Sequence, residues 1–337
     1  MQQRYRLLAL LSDGRFHSGE ELGSSLGIGR SAVWKLVHSL KGMGIDAFAV
    51  RGKGYRLARP MELLDRGRIL AEVDPEAMGR LSELEILPEI DSTNRYLAER
   101  ALKGLPDGHA CFAEYQSAGK GRRGRGWVSP FGANIYLSLL RHFGTLSDGP
   151  QGLSLAVGAA VASALTSAGV TAVALKWPND LVWKEKKLGG ILLELAGEPG
   201  GPWQVIVGLG LNVDLPPGSA QLIDQPWVDL RTITGHDPGR NVIAGRILRY
   251  LLLELDRFAE QGFAPFRSLW ESLDATRDRP VLIKEPDREI RGFARGVDDT
   301  GALLLSVDGR IRKILSGDLS LRIEGLQEPG PISPTDS

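Results

Sequence analysis

Within nine residues the chain places Gly119, Gly121, Gly124 and Gly126 among Lys120, Arg122, Arg123 and Arg125, and closes the run with Trp127. Glycines let successive backbone amides turn toward one point, and Arg guanidiniums offer forked donors that match phosphate oxygens. Four cations so close repel one another until an anion arrives. The loop is therefore expected to be mobile when empty and ordered when filled. It lacks the Gly-Lys-Ser/Thr ending of a P-loop. Gly/Arg segments also contact RNA, and a solvated flexible loop has the same composition, so the residues alone leave those readings open.

Further groups could share that chemistry. Lys176-Trp177-Pro178-Asn179-Asp180 lies between apolar runs at 173–175 and 181–183 that read as strands. A turn there gathers a cation for phosphate and a carboxylate for Mg2+, although Asn-Asp is also a common turn pair. Lys187-Leu188-Gly189-Gly190-Ile191 opens a strand over 191–195; only its place at the strand mouth separates Lys187 from the solvated hairpin Lys184, Glu185, Lys186. Gly208, Gly210 and Asn212 follow a strand read over 204–207 and permit close backbone approach. Asp91-Ser92-Thr93-Asn94 precedes a helix over 95–102, where Ser92 or Thr93 caps the helix or binds a polar ligand group. No Ser/His/Asp or Cys/His set is present. The five histidines lack metal-ligand spacing, and the single Cys111 sits in an apolar run that reads as a buried strand. A phosphate site without a protein nucleophile suits adenylation, in which a substrate carboxylate attacks the α-phosphate of ATP and the protein supplies position and charge.

The elements around these groups follow from composition and period. The 337 residues suggest two or three domains, and 42% hydrophobic with 24% charged residues is an ordinary globular composition. The most apolar stretch, 153–168, is interrupted by Ser154, Gly158, Ser163, Thr166 and Ser167, and reads as a buried helix rather than a membrane span. Met1-Gln2-Gln3-Arg4 lacks a signal-peptide pattern, so a cytoplasmic location is expected. Net charge is zero, yet residues 1–60 hold ten basic against four acidic side chains, which suggests that this end meets a polyanion.

That basic head reads as a helix of leucines over 5–11, a capping box from Ser18 to Glu21, a helix carrying Leu22 and Leu26, a break at Gly27-Ile28-Gly29, and a helix over 30–43 with Val33, Val37 and Leu40 inward. Arg30, Ser31, Trp34, Lys35 and His38 then face outward. A hairpin over 47–57 follows, with Arg51 and Lys53 at its tip. Helix, turn, helix and basic wing form a DNA-binding pattern, with a solvated basic face for protein contacts as the rival. Past Pro60 strands and helices alternate. Short strands at 281–284, 292–296, 302–306 and 311–315, with turns at 286–287, 299–301 and 308–309, predict a small β-barrel, and the Pro/Gly/Ser-rich tail after Glu324 is expected to be disordered.

Residues 119–125, 176–180 and 187–191 resemble, in order and spacing, the three signatures of biotin–protein ligases. With the winged head, the chain resembles the bifunctional bacterial ligases that also repress the biotin operon. The resemblance runs from about Tyr5 to Ile323. It implies an α+β protein: a winged helix-turn-helix at 1–62, a class II aminoacyl-tRNA-synthetase-like α/β core at 63–275 shared with lipoate ligases, an SH3-like β-barrel at 276–324, and a disordered tail at 325–337. It implies that biotin and ATP form biotinyl-5′-AMP and that a lysine of the biotin carboxyl carrier protein of acetyl-CoA carboxylase accepts the biotin. It further implies operator DNA as a partner, the adenylate as corepressor, a ligand-promoted homodimer, and no membrane.

Motif matching implies Lys187 and Arg122 as catalytic residues. Biotin would meet Ser92, Thr93, Asn94, Gln116, Gly119, Lys120, Gly121, Arg122, Lys187 and Gly190. ATP or the adenylate would meet Arg122, Arg123, Arg125, Trp127, Lys176, Asn179, Asp180, Asn212 and Arg295, with Mg2+ at Asp180. Lys120 stands where Arg is more usual, and Gly29-Arg30-Ser31 with bulky Trp34 leaves the operator sequence open. Two rivals remain, a lipoate ligase and a sensor that binds biotin without catalysis. The presence of Lys187 and Arg122 argues against the second.

Overall fold

The computed structural model describes residues 2–146, 149–198, 200–285, 288–315 and 320–323. The turn expected at 286–287 and the tail expected at 325–337 lie outside them.

In the head, the leucine period places Leu7, Leu8 and Leu11 of α1 (Gln2–Leu11) against Leu22 and Leu26 of α2 (Gly19–Leu26) and Val33 and Val37 of α3 (Arg30–Ser39). The Ser18 hydroxyl accepts from the Glu21 amide at 3.0 Å, while the Glu21 carboxylate turns to His17 at 3.4 Å. Gly27, at φ 68°, takes the left-handed turn that ends α2 and lets α3 cross it. The helix expected over 30–43 stops at Ser39; Leu40–Met43 tightens into a 3-10 turn that Gly44 ends at φ 73°. The wing is β1 (Ala47–Val50) against β2 (Gly54–Leu57), extended by the exchange of backbone hydrogen bonds between Tyr55 and His17.

The core begins with α4 (Arg66–Leu70) and α5 (Pro75–Met78). A mixed sheet is then laid down by β3 (Glu83–Leu87), β4 (His109–Ala113), β5 (Asn134–Thr145), β6 (Ala174–Lys176), β7 (Asp180–Trp183), β8 (Lys186–Gly197) and β9 (Pro202–Asn212), in the order β3-β4-β5-β9-β8-β7-β6. Only β3 and β4 run parallel. Helix α6 (Thr93–Ala101) joins β3 to β4, and α7 (Leu153–Ser167) joins β5 to β6. After β9 come α8 (Pro217–Ala220), α9 (Leu230–Thr234), α10 (Arg240–Gln261) and α11 (Ala264–Ser272).

Strand side chains alternate between faces, so odd-numbered Leu137, Leu139, Val207 and Leu209 pack under α7 and α10. Even-numbered Leu140 and Ile206 pack with Cys111 under α6. That second face is the one on which the polar groups gather. The 153–168 stretch is the buried helix its composition predicts, and no helix among the described residues is long and apolar enough to cross a membrane.

Head and core share material. Phe131, in the segment before β5, is buried within the head's leucine cluster. Arg240 and Glu114, both buried, pair at 2.5 Å, and Glu114 also accepts from the Leu64 amide of the linker.

The C-terminal barrel is β10 (Pro280–Lys284), β11 (Glu289–Val297), β12 (Leu303–Val307), β13 (Arg310–Ile314) and β14 (Ser320–Ile323), ordered β13-β12-β11-β10-β14. Asp298 anchors the turn between β11 and β12. Burial alone would raise this carboxyl, but Lys313 at 2.8 Å, the Thr300 hydroxyl at 2.8 Å and the Ala302 and Thr300 amides at 3.0 Å outweigh it and hold it at about 2. A carboxyl depressed by folding stabilises above its unfolded pKa near 4, and that contribution is lost as pH falls toward about 2. Asp298→Asn is expected to remove about 1–2 kcal/mol at neutral pH and to flatten the acid limb of stability between about pH 4 and 2, as read by urea denaturation across pH.

Candidate functional site

The polar face of the sheet has been cleared by glycines. Gly190 and Gly210 are cross-strand partners, and Gly208 lies opposite Ser138. A Cβ on Gly210 would come within 2.4 Å of the Trp127 indole, and one on Gly208 within 2.2 Å of Asn94 Oδ1. The glycines thus admit an indole and an amide directly onto the strands. Strand β9 does not end at Val207 as expected; it continues to Asn212, because Gly208 and Gly210 keep their backbone pairing to both β5 and β8.

At the N-terminus of α6, Ser92, Thr93 and Asn94 are all buried. The Ser92 hydroxyl caps the helix on the Arg95 amide at 3.5 Å. Gln116 Oε1 accepts from the Thr93 amide at 2.9 Å and lies 3.2 Å from its hydroxyl, and Gln116 Nε2 donates to Ser129 Oγ at 3.2 Å. Gly119 fits beneath because a Cβ there would meet Ser129 Oγ at 2.6 Å. A largely buried nook of donors and acceptors results.

The 119–127 loop folds back on itself as a short hairpin. Gly121 N donates to Arg125 O and Trp127 N to Gly119 O, both at 2.8 Å. Arg123 (φ 59°) and Gly124 (φ 70°) form its left-handed tip, a backbone that costs a non-glycine residue about 1 kcal/mol. Lys120, Arg123 and Arg125 point outward, whereas half-buried Arg122 donates to Asn179 Oδ1 at 3.3 Å. This contact joins the first motif to the second.

The second and third motifs meet at the β6–β7–β8 end. Lys187 Nζ pairs with Asp180 Oδ1 at 2.7 Å and lies 5.6 Å from the centre of the Trp127 ring. Asn179 Nδ2 donates to Ile191 O at 2.7 Å, and Asn212 Nδ2 donates to Val228 O at 3.1 Å and to Lys187 O at 3.4 Å. Burial lowers the pKa of the Lys176 ammonium; Asp180 pulls it back, and Lys187, Arg322 and Arg125 push it down further. Lys176 thus feels three other cations against the single carboxylate of Asp180, a field that favours an anion.

Arg295, the barrel residue expected at the nucleotide, is exposed and pairs with Asp278 at 2.6 Å. The barrel cation whose charge reaches Lys176 is Arg322 on β14. Arg322, Ser129 and Ser138 are the functional candidates that sequence reasoning passed over. In the head, Arg30, Ser31, Trp34, Lys35 and His38 are exposed along one side of α3, and Arg51 and Lys53 sit at the exposed wing tip. Arg30 is tied to Glu20, and Trp34 stacks on His38 with ring centres 3.9 Å apart.

The core matches the biotin/lipoate A/B protein ligase family over residues 86–212, the barrel matches the biotin protein ligase C-terminal domain over 277–322, and the head matches a helix-turn-helix domain over 3–56. Fold and site together define a biotin-ligase core joined to a DNA-binding type of head. The chain belongs to the family of bifunctional biotin–protein ligase/repressors. It is 44% identical over 320 residues to the bifunctional ligase/repressor BirA of Escherichia coli (strain K12), covering 94% of this chain and 96% of that protein. It is 32% identical over 325 residues to the BirA of Bacillus subtilis (strain 168), covering 94% and 98%. Among solved structures it resembles the biotin protein ligase of Aquifex aeolicus in complex with biotin and ATP, with TM-score 0.62 and 31% identity over 72% of this chain and 100% of that one.

Proposed function

We propose that the chain activates biotin with ATP to biotinyl-5′-AMP, transfers biotin to a lysine of a biotin carboxyl carrier protein, and represses biotin-synthesis genes with the adenylate as corepressor. The observation that carries this reading is the Lys187–Asp180 pair at 2.7 Å, with half-buried Lys176 in the field of Lys187, Arg125 and Arg322, beside the largely buried nook of Thr93, Gln116 and Ser129 on a glycine-cleared sheet.

In this reading Ser92, Thr93, Asn94 and Gln116 meet the urea ring. The backbone of Gly119, Lys120 and Gly121 covers it, and Gly190 leaves room for the chain. A biotin carboxylate oxygen attacks the α-phosphorus, and the bond to pyrophosphate breaks. Lys187 and Arg122 hold the charge that develops there. Arg123, Arg125, Trp127, Lys176, Asn179, Asp180, Asn212 and Arg295 line the nucleotide side, with Arg322 added from the barrel. The carrier lysine then attacks the acyl carbon, and AMP leaves. Asp180 is the one carboxylate of the group, and such a donor set suits Mg2+ brought in with phosphate oxygens rather than held by the protein alone. When bound, the ion would neutralise phosphate charge.

We divide the chain into a head at 1–62, a core at 63–275 and a barrel at 276–324; the end of β2 at Leu57 and the start of β10 at Pro280 support this reading. A ligand-promoted homodimer has a surface available: β7 covers β8 only as far as Gly190, so residues 192–197 pair with β9 alone and offer a strand edge to a second copy. Cytoplasmic location and operator DNA complete the proposal. ATP–pyrophosphate exchange with biotin and with lipoate in parallel tests it. Exchange with biotin alone is expected; exchange with lipoate alone, or with neither, overturns it.

A further inference from the structure

We infer that Ser138 determines specificity in this site, by fixing the Thr93 hydroxyl as an acceptor so that the pocket selects a ligand presenting an N–H there. The inference rests on the biotin reading above and concerns how one of its atoms is chosen.

Ser138 lies fully buried on β5, opposite Gly208 of β9. Its Oγ is 2.5 Å from Asn94 Oδ1 and 2.8 Å from Thr93 Oγ1. One hydroxyl proton cannot serve both. Asn94 decides the matter. Its Nδ2 donates to the Leu192 carbonyl at 3.4 Å, so its Oδ1 faces Ser138. The reversed amide would set two acceptor oxygens against each other at Leu192. Gly208 holds Asn94 in this place, since any Cβ there would displace it. Asn94 Oδ1 therefore takes the Ser138 proton.

The 2.8 Å contact between Ser138 and Thr93 then needs the Thr93 proton. The alternative acceptor, Gln116 Oε1, is farther at 3.2 Å and already receives the Thr93 amide at 2.9 Å. The hydroxyls are thus ordered from Thr93 to Ser138 to Asn94. Thr93 is left with lone pairs only. Thr93 is 4% exposed, so water does not satisfy an acceptor left unmatched there. A urea N–H satisfies it. A ring oxygen, a sulfur or a methylene does not, and polar sites of this kind discriminate strongly against ligands that lack the partner.

The test uses the full-length protein and pyrophosphate exchange with biotin and with two cyclic-carbamate analogues, each replacing one urea N–H by oxygen. In the parent, one analogue is expected to lose at least about 30-fold in kcat/KM relative to biotin. In Ser138→Ala that ratio is expected to fall to within about threefold, because the Thr93 hydroxyl then keeps only the longer 3.2 Å contact to Gln116 Oε1, an oxygen already engaged by the Thr93 amide, and can turn to donate to the ligand. Thr93→Val, which keeps the shape without the hydroxyl, should give the same loss of discrimination, and the double variant should lose no more. The inference is overturned if the parent treats both analogues like biotin, if Ser138→Ala keeps the parent ratio, or if it weakens all three ligands by one common factor, as a purely structural residue would. Failure of the parent to exchange with biotin itself would instead remove the biotin reading.

Discussion

Lys187→Ala is expected to lower biotin-dependent pyrophosphate exchange by about 10²–10³-fold, the loss typical of removing one group that stabilises developing charge in a dry site. The fold should survive it. The backbone of Lys187 is held independently of its side chain: its amide donates to Pro226 O at 2.9 Å, and its carbonyl accepts from the Val228 amide at 2.9 Å. The Lys187–Asp180 pair keeps some access to water, with side chains 19% and 20% exposed, so removing the lysine is expected to cost more stability than the about 0–1 kcal/mol of an exposed pair, but not enough to unfold the chain. Arginine is a poor substitute, because a planar fork does not reproduce a compact point charge between Asp180 and Trp127. Steady-state exchange beside a thermal melt separates the two effects. Exchange within about threefold of the parent, a barrier change under about 1 kcal/mol, would remove the assigned role.

The residues that were legible in the sequence are those whose function is local. Ser18, Gly27, the leucines of α1 and α2, and the glycine–arginine loop announce themselves because caps, turns and amphipathic stripes are properties of neighbouring residues. Gly208 and Gly210 misled: in isolation glycines read as a strand end, yet pairing on both sides carries β9 through them. Ser138 was invisible for the opposite reason. A lone serine in the apolar run of β5 has no local signature, and only the pairing of β5 with β9 and the packing of α6 bring Asn94 and Thr93 to it. Arg322 is one of 41 Lys and Arg residues. What distinguishes it is β14 adding to the edge of β10, which brings its charge near Lys176. Spacing encodes the first kind of information; tertiary contact supplies the second.

The head leads to the other large expected effect. With biotin and ATP present, binding of the full chain to its operator is expected to weaken by about 10³-fold or more between about 50 and 200 mM salt. The reason is the charge split: ten basic side chains against four acidic ones in residues 1–60, on a chain of zero net charge. Not every cation should count. Arg30 is tied to Glu20, and Arg56 lies over the rings of Phe16 and Phe48 at 5.0 and 5.5 Å. Lys35 on α3 and Arg51 and Lys53 at the wing tip are exposed and placed to meet phosphates; Lys53 lies 5.9 Å from the Phe16 ring but, unlike half-buried Arg56, stays exposed. Two heads on two half-sites would bring the phosphate contacts to about six to ten, the range that gives such a slope. Lys53→Ala should then weaken binding evenly across sequences and reduce the salt slope by about two per dimer, one for each head. Trp34→Ala should act differently. Its ring is half exposed on the outer face of α3 and carries no charge, so its loss should change sequence preference and leave the slope as it was. Anisotropy titrations of labelled duplexes over a salt series read both quantities. A Lys53→Ala slope equal to the parent's would take the wing out of the DNA contact, and a Trp34→Ala protein with an altered slope would mean that α3 does not sit against base edges.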